Sequence, residues 1–459
     1  EEIYKRLTFR NLKIKPYNML QMLELTEQRC IRFSENSKLN YGEETHINPL
    51  LWQIGHVVFF YSNLVLRNLN GCINIEEIED YSKYVEFYDS YLTPLENRNG
   101  KYLLDYKTVI ELYKKIILYL KEFILYKSYL TTPESYLILL GILHNEMHNE
   151  AFIFTKINLN KSNEYLSYEY SSPDTILINN IDFVTYQGGY FTQGSHNSDK
   201  KLIFDNELPS FSQFIKSFMV SKFCITESQF LEFILNNGYN EEKYWSLNGY
   251  KYIKKNKIEM PLYWVKRNDS YFKELDNHLY SVNTNLPIIN ISWYEAQAYC
   301  KWAGYRLPTE SEWECVATYY GKFKYPWGDK MEPSYCNLNY TINGPLEIND
   351  VKLKIEKTYT GVKQLIGNVW EWCEDSIYPY DGFTIDPVYR EMSYPFFGFK
   401  KICRGGCFAV PDYLINSRYR NAQMPDCRIQ FIGFRVCKNI NLKKIRENRR
   451  DKINKIIEI

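Results

Sequence analysis

The chain has 459 residues, a formal net charge of +1, a pI of about 7.6, 45% hydrophobic residues and a mean hydropathy of −0.43. Such a balance gives no basis for a nucleic-acid or polyanion partner, the apolar stretches fall short of a membrane span, and the length predicts two or three domains. Eleven cysteines are scattered without a C-x-x-C pair, as expected of reduced thiols in a cytoplasmic protein. No cationic start with an apolar run and cleavage site is visible, although a chain beginning at Glu1 leaves room for a removed targeting segment. With 42 tyrosines present, a tyrosine needs more than its presence to be read as catalytic.

Residues 1–160 carry apolar-periodic segments around 16–33, 48–69, 106–126 and 134–156, which predict an up-down helical bundle with room for a metal site between facing helices. The second segment contains Trp52-Gln-Ile-Gly-His56 within a helix-like apolar run from Ile54 to Leu66. The last contains His144-Asn-Glu-Met-His148, in a chain with only six histidines. Leu137, Leu140, Gly141, His144, His148 and Phe152 follow three-four spacing with no proline after Pro133, so the two imidazoles share one helix face. His56 is the best candidate for a third ligand. Imidazole suits iron, zinc, copper or nickel, and three ligands leave coordination positions open, as in catalytic sites. The spacing does not choose the metal, and the alternative is that His144 and His148 line a polar helix face without one.

Residues 161–178 read as a polar linker. From there glycine pairs, isolated tryptophans and short β-prone runs predict an α+β domain over 179–438 with much irregular structure. Residues 439–459 form a basic extension, expected to be a solvated helix or a frayed end.

The second half resembles the formylglycine-generating-enzyme-like (sulfatase-modifying-factor) domain. The resemblance is carried by Gly188-Gly-Tyr-Phe-Thr-Gln-Gly194, Ile291-Ser-Trp-Tyr-Glu-Ala-Gln-Ala-Tyr-Cys300 and Trp302-Ala-Gly-Tyr-Arg-Leu-Pro-Thr-Glu-Ser-Glu-Trp313. It continues through Tyr325-Pro-Trp-Gly-Asp329, Gly367-Asn-Val-Trp-Glu-Trp372, Arg404-Gly-Gly406 and Ile432-Gly-Phe-Arg435. It implies a C-type-lectin-like fold, and a fold by itself names no activity. Where the formylglycine-generating enzymes place two copper-binding cysteines, this chain has Val410 and Ile415, so that oxidation has no thiols to run on. Cys403 and Cys407 lie nearby and are expected to be buried small residues.

Taken with His56 and His-x-x-x-His-x-Glu ahead of it, the whole layout resembles the sulfoxide synthases of ergothioneine and ovothiol biosynthesis. Gly238-Tyr239, Trp245-Ser246, Gly249-Tyr250 and Pro261-Leu-Tyr-Trp264 also look like that family. The resemblance implies a DinB-like bundle over 1–160 that holds Fe(2+) through His56, His144 and His148. It also implies O2-dependent coupling of a thiol donor, cysteine or γ-glutamylcysteine, to the imidazole of hercynine, leaving a sulfoxide. Selenosugar as donor, unmethylated histidine as acceptor and a non-catalytic binding protein stay open as alternatives; the wording His-Asn-Glu-Met-His-Asn-Glu-Ala looks nearer to the selenoneine synthase branch.

By resemblance, Tyr378-Pro-Tyr-Asp-Gly-Phe383 brings a phenol towards the metal, with Tyr380 the first choice and Tyr378 the second; Tyr88 and Tyr91 are rivals from the helical half. Met147 stands where some members hold trimethylhistidine with a glutamine. Asn421 is retained, while Ala422 and Gln423 replace Trp-Asp, which removes a cation–π surface and a carboxylate. Arg98, Arg420 and Arg428 are candidate carboxylate clamps, since a guanidinium binds a carboxylate in bidentate fashion.

Overall fold

Apolar residues three and four apart build the first half. A computed structural model describes residues 12–35, 47–69, 81–160, 166, 168, 177–196, 201–275, 278–282, 284–350 and 358–440. Most of the expected 161–178 linker, and the 439–459 extension beyond residue 440, lie outside them. Helix α1 (Pro16–Ser34) starts on a proline, which fits the first helical position, and buries Met19, Leu23, Thr26, Cys30 and Phe33. Helix α2 (Leu50–Phe59) runs into a π-helical stretch, Phe60–Leu66, and is buried almost throughout. The short α3 (Tyr81–Tyr88) was not expected from the periodicity. Helix α4 (Tyr106–Leu125) is capped by Asp105, whose carboxylate accepts from the Thr108 amide at 3.1 Å, and turns Val109, Tyr113, Ile116, Ile117 and Leu120 inward. The long α5 (Thr132–Asn160) lies against α1 and α2, with residues 136–146 wholly buried.

Strand and helix alternate irregularly in the second half. A three-stranded sheet pairs β1 (Phe183–Tyr186) and the last strand β12 (Cys437–Asn439) with β4 (Phe218–Ser221), tying the two ends of this half together. A hairpin joins β2 (Gly189–Gln193) to β3 (Phe211–Ile215), and β5 (Trp264–Arg267), β6 (Ser270–Leu275) and β7 (His278–Ser281) form a meander. A four-stranded sheet has the order β10-β9-β8-β11, from β8 (Trp370–Ser376), β9 (Lys401–Arg404), β10 (Asn421–Gln423) and β11 (Ile432–Gly433). Among the described residues four α-helices accompany them: α6 (Glu227–Leu235), α7 (Leu247–Lys255), α8 (Trp293–Ala303) and α9 (Glu310–Ala317). Capping boxes start three of these, Thr226 with Gln229, Ser292 with Glu295 and Thr309 with Glu312.

Buried ion pairs knit this half. Arg435 is fully buried and forks onto Glu371 at 2.6 Å to each oxygen, while Trp313 donates to the same carboxylate at 2.7 Å. Arg404 meets Glu310 and Glu314, and Lys273 meets Glu227 at 2.8 Å. These pairs need both partners, because one left alone would be an uncompensated buried charge. Val410 and Ile415 pack as apolar core beside Gly406, and the ten described cysteines are buried and free of disulfides.

Side chains from α1 and α5 lock the halves together. Arg29 donates to the carbonyls of Asn339 and Ala409, Tyr413 donates to Glu146 at 2.8 Å, and Trp370 donates to Glu150 at 2.8 Å. One apolar core runs through both.

Candidate metal centre

Helical spacing puts His144 and His148 on one face of α5, and α2 crosses that face with His56. The ligand nitrogens of the three lie within 4.8 Å of one another. His56 Nε2 is 3.1 Å from His144 Nε2, a separation that suits two donors sharing one first-row ion, for which metal–nitrogen distances run about 2.0–2.1 Å.

The surroundings decide which nitrogen faces the shared point. His56 Nδ1 donates to the Tyr88 carbonyl at 2.7 Å, so it carries the hydrogen and leaves the Nε2 lone pair free. Gln53 uses its amide N–H to donate to the Asn48 carbonyl (2.9 Å) and Thr155 Oγ1 (3.2 Å), which turns its oxygen to His148 Nδ1 at 3.4 Å. Among the described residues His144 Nδ1 has no hydrogen-bond partner; its ring is held by Phe60, stacked at 3.7 Å between centroids. Burial lowers the pKa of all three rings, that of His56 to about 4, so neutral imidazoles are the resting form. Three neutral, oriented imidazoles fit a divalent transition metal.

A cavity of about 650 Å³ opens on the histidines and is walled by both halves. Met147, Arg98, Asn421, Gln423 and Ala422 line it, as does Arg420. Arg98 stacks on Trp52 (4.0 Å to the ring centroid) and donates to the Thr93 and Ser90 carbonyls and to Asn48, all neutral acceptors. The other two expected clamps differ. Arg420 forks onto Glu310 at 2.7 and 2.9 Å and also donates to the carbonyls of Asn206 and Tyr378, so its guanidinium is already satisfied. Arg428 does not line the cavity and forks onto Glu295 at 3.0 and 3.1 Å. Asn421 directs its side-chain oxygen to the Ala422 amide at 2.8 Å.

The structure does not bring Tyr380 or Tyr378 to the histidines. Tyr380 is covered by Phe211 and the Arg420 guanidinium and accepts from Gln193 at 3.2 Å, while Tyr378 is 59% exposed; neither lines the cavity. Tyr88 supplies its carbonyl to His56, but its hydroxyl accepts from the Leu104 amide at 2.8 Å. Tyr91 reaches the cavity and is otherwise exposed. The phenol that stands against the ligand set is Tyr389. Its ring meets His144 edge-on at 5.5 Å and Phe60 at 5.0 Å, and among the described residues its hydroxyl has no hydrogen-bond partner. Burial raises its pKa, so it is a neutral phenol. No motif marks Tyr389, and sequence reasoning missed it. Gln53 was missed as well, although its place inside the Trp52-to-His56 segment is a signal that could have found it.

Residues 171–440 match the model of the sulfatase-modifying factor enzyme 1-like domain. The chain is 28% identical to the hercynine oxygenase of Mycobacterium tuberculosis over 67% of its own length and 72% of that protein. That share exceeds what residues 171–459 supply, so the similarity continues into the helical half. It is 30% identical to the hercynine oxygenase of Mycolicibacterium smegmatis over 55% of the chain, spanning 60% of that relative's length. The formylglycine-generating enzyme of Thermomonospora curvata is 29% identical over 55% of the chain and 91% of that enzyme. Among solved structures, PvdO of Pseudomonas aeruginosa covers 59% of the chain at 19% identity, with a TM-score of 0.40.

Proposed function

The chain belongs to the sulfatase-modifying factor enzyme 1-like domain family, and on that premise we propose that it is an iron(II)- and O2-dependent sulfoxide synthase that joins a thiol donor to the imidazole of hercynine. The observation that carries this reading is the set of three converging neutral imidazoles at the floor of the cavity between the halves. Similarity to hercynine oxygenases beyond the shared domain supports it, as does apolar packing where a copper-thiol pair would stand. In this reading residues 1–160 are a DinB-like bundle, 179–438 the second domain, and the substrates are small molecules met in the cytoplasm.

Ferrous iron, once held there, supplies open coordination positions and one-electron redox chemistry. The protein supplies the rest. Tyr88 and Gln53 hold two of the rings with their lone pairs inward. Arg98, fixed by Trp52 and three neutral acceptors, offers its remaining N–H groups to a substrate carboxylate. Tyr389 holds a proton beside the ligand set, in the role first assigned to Tyr380 or Tyr378. The enclosed wall restricts water and fixes both substrates side by side. Cysteine and γ-glutamylcysteine are the proposed donors. Met147, Ala422 and Gln423 on the wall give no aromatic face or carboxylate for a trimethylammonium group, which favours unmethylated histidine as acceptor for a second reading.

The test is anaerobic loading with Fe(II), then O2 with hercynine or histidine and a panel of thiols and a selenosugar, read by mass spectrometry. A coupled sulfoxide is expected from wild type, and Tyr389→Phe should divert product towards oxidised thiol while Tyr380→Phe leaves the ratio unchanged. No coupled product from any pair would overturn the reading; diversion by Tyr380→Phe alone would overturn the choice of phenol.

A further inference from the structure

The enclosed basic side chains of the second half are satisfied by the protein itself: Arg404 pairs with Glu310 and Glu314, Arg420 with Glu310, Arg428 with Glu295, Arg435 with Glu371 and Lys273 with Glu227, while Arg418 donates to the Phe323 and Gly321 carbonyls. Lys400 breaks that pattern. It is partly enclosed, directly precedes β9, and lines the same cavity as the histidines. Among the described residues its ammonium has neither a hydrogen bond nor an ion pair; its one contact of note is the Phe396 ring, 3.5 Å from Nζ to the centroid. The next residue, Lys401, shows how easily the chain satisfies a lysine here, since its Nζ donates to the Glu374 carbonyl at 2.9 Å and lies over Trp293.

Neither carboxylate of the cavity neutralises Lys400. Glu150 is occupied by Trp370 at 2.8 Å and the Cys407 thiol at 3.1 Å, and Glu391 forms no ion pair with it. Desolvation draws the Lys400 pKa down to about 8, so the ammonium is still mostly charged at neutral pH. Arg98 on the helical side is likewise a cation held only by neutral oxygens. Two partly dehydrated cations without an ion-paired carboxylate on one cavity, Arg98 having only the longer-range charge of Glu96, leave a cost that a ligand with carboxylates removes.

We propose that Lys400 is a specificity-determining residue that anchors a second substrate carboxylate, so that the cavity takes two carboxylates together, one at Arg98 and one at Lys400. This rests on the sulfoxide synthase reading and sharpens it. The class of substrate is an amino-acid-derived thiol and an amino-acid imidazole, each with its carboxylate, or a thiol that carries two. A sugar donor without a carboxylate would leave one cation unpaired.

Calorimetric binding to the Fe(II)-loaded protein under argon tests this without turnover. The probes are histidine and histamine, cysteine and cysteamine, and γ-glutamylcysteine, each against wild type, Lys400→Met and Lys400→Arg. Lys400→Met should weaken one carboxylated probe by about tenfold or more, as expected for loss of a charged hydrogen bond. Its decarboxylated counterpart should change less than about twofold on the same scale, and Lys400→Arg should restore binding. Loss with histidine assigns the acceptor's carboxylate, loss with cysteine the donor's, and loss confined to γ-glutamylcysteine its glutamyl carboxylate. Unchanged affinities for all probes in Lys400→Met, or equal losses for carboxylated and decarboxylated partners, would overturn the role of Lys400 and leave the oxygenase reading standing. Wild type that binds no imidazole and no thiol would remove both. Circular dichroism checks folding, and Lys400→Gln replaces Lys400→Met if the latter does not fold.

Discussion

Around the histidines, the helical half surrounds its buried polar groups with neutral partners: a backbone carbonyl for His56, an amide oxygen for His148 and an aromatic face for His144. The second half buries full charges and pairs them, Arg435 with Glu371 and Arg404 with Glu310 and Glu314. The difference separates chemistry from scaffold. Neutral, singly bonded imidazoles keep a lone pair for a ligand, whereas a guanidinium forked onto a carboxylate has little left to offer. Function is therefore sought where polar groups are oriented but not neutralised, and Lys400 and Arg98 are the basic residues of the cavity that meet that description.

Breaking a charge pair should give the largest change in stability. Arg435→Met leaves Glu371 buried without its cation and is expected to cost about 3–5 kcal/mol, read as a shifted midpoint in urea unfolding. A change under about 1 kcal/mol would mean that the pairs are not what holds the second half.

Acid should then act on the other region. His56 has a folded pKa of about 4 against about 6.5 unfolded, so the unfolded chain binds more protons between these values. The metal-stripped protein keeps this stability above about pH 6.5 and loses it as pH falls towards 4, by about 3 kcal/mol at roughly 1.4 kcal/mol per pH unit. His144 and His148 are lowered too and act in the same direction. A stability of the stripped protein that is flat between pH 7 and 5 would contradict the buried, neutral rings.

The smallest effect tests packing behind the ligands. A Cβ added at Gly55 would stand 2.0 Å from Tyr88 Cε1, so Gly55→Ala must push the tyrosine whose carbonyl orients His56. Overpacking of this kind costs about 1–3 kcal/mol, and loss of the orienting bond should weaken metal binding about tenfold. Titration with Fe(II) under argon checks it; unchanged affinity would show that the Tyr88 carbonyl does not set the ring.

Much of this is legible in the sequence. The His144/His148 spacing, the run around His56 and the four long helices follow from periodicity, and the tryptophan and glycine motifs of the second half mark its family. Helix α3 escaped because eight residues give too short a period to read, yet it carries the carbonyl that orients His56. Arg420 and Arg428 looked free because their partners, Glu310 and Glu295, lie 110 and 133 residues away, a distance that no local pattern reveals. Tyr389 and Lys400 were missed for the same reason: each matters through a cavity that exists only once the two halves meet.

The central claim is that His56, His144 and His148 hold one metal ion, and metal content measures it most directly. Wild type reconstituted with Fe(II) under argon and then desalted should retain about one iron per chain by mass spectrometry of the metal, and His148→Ala should retain almost none while keeping its far-ultraviolet circular dichroism. Stoichiometric iron in His148→Ala, or none in wild type, would contradict the account.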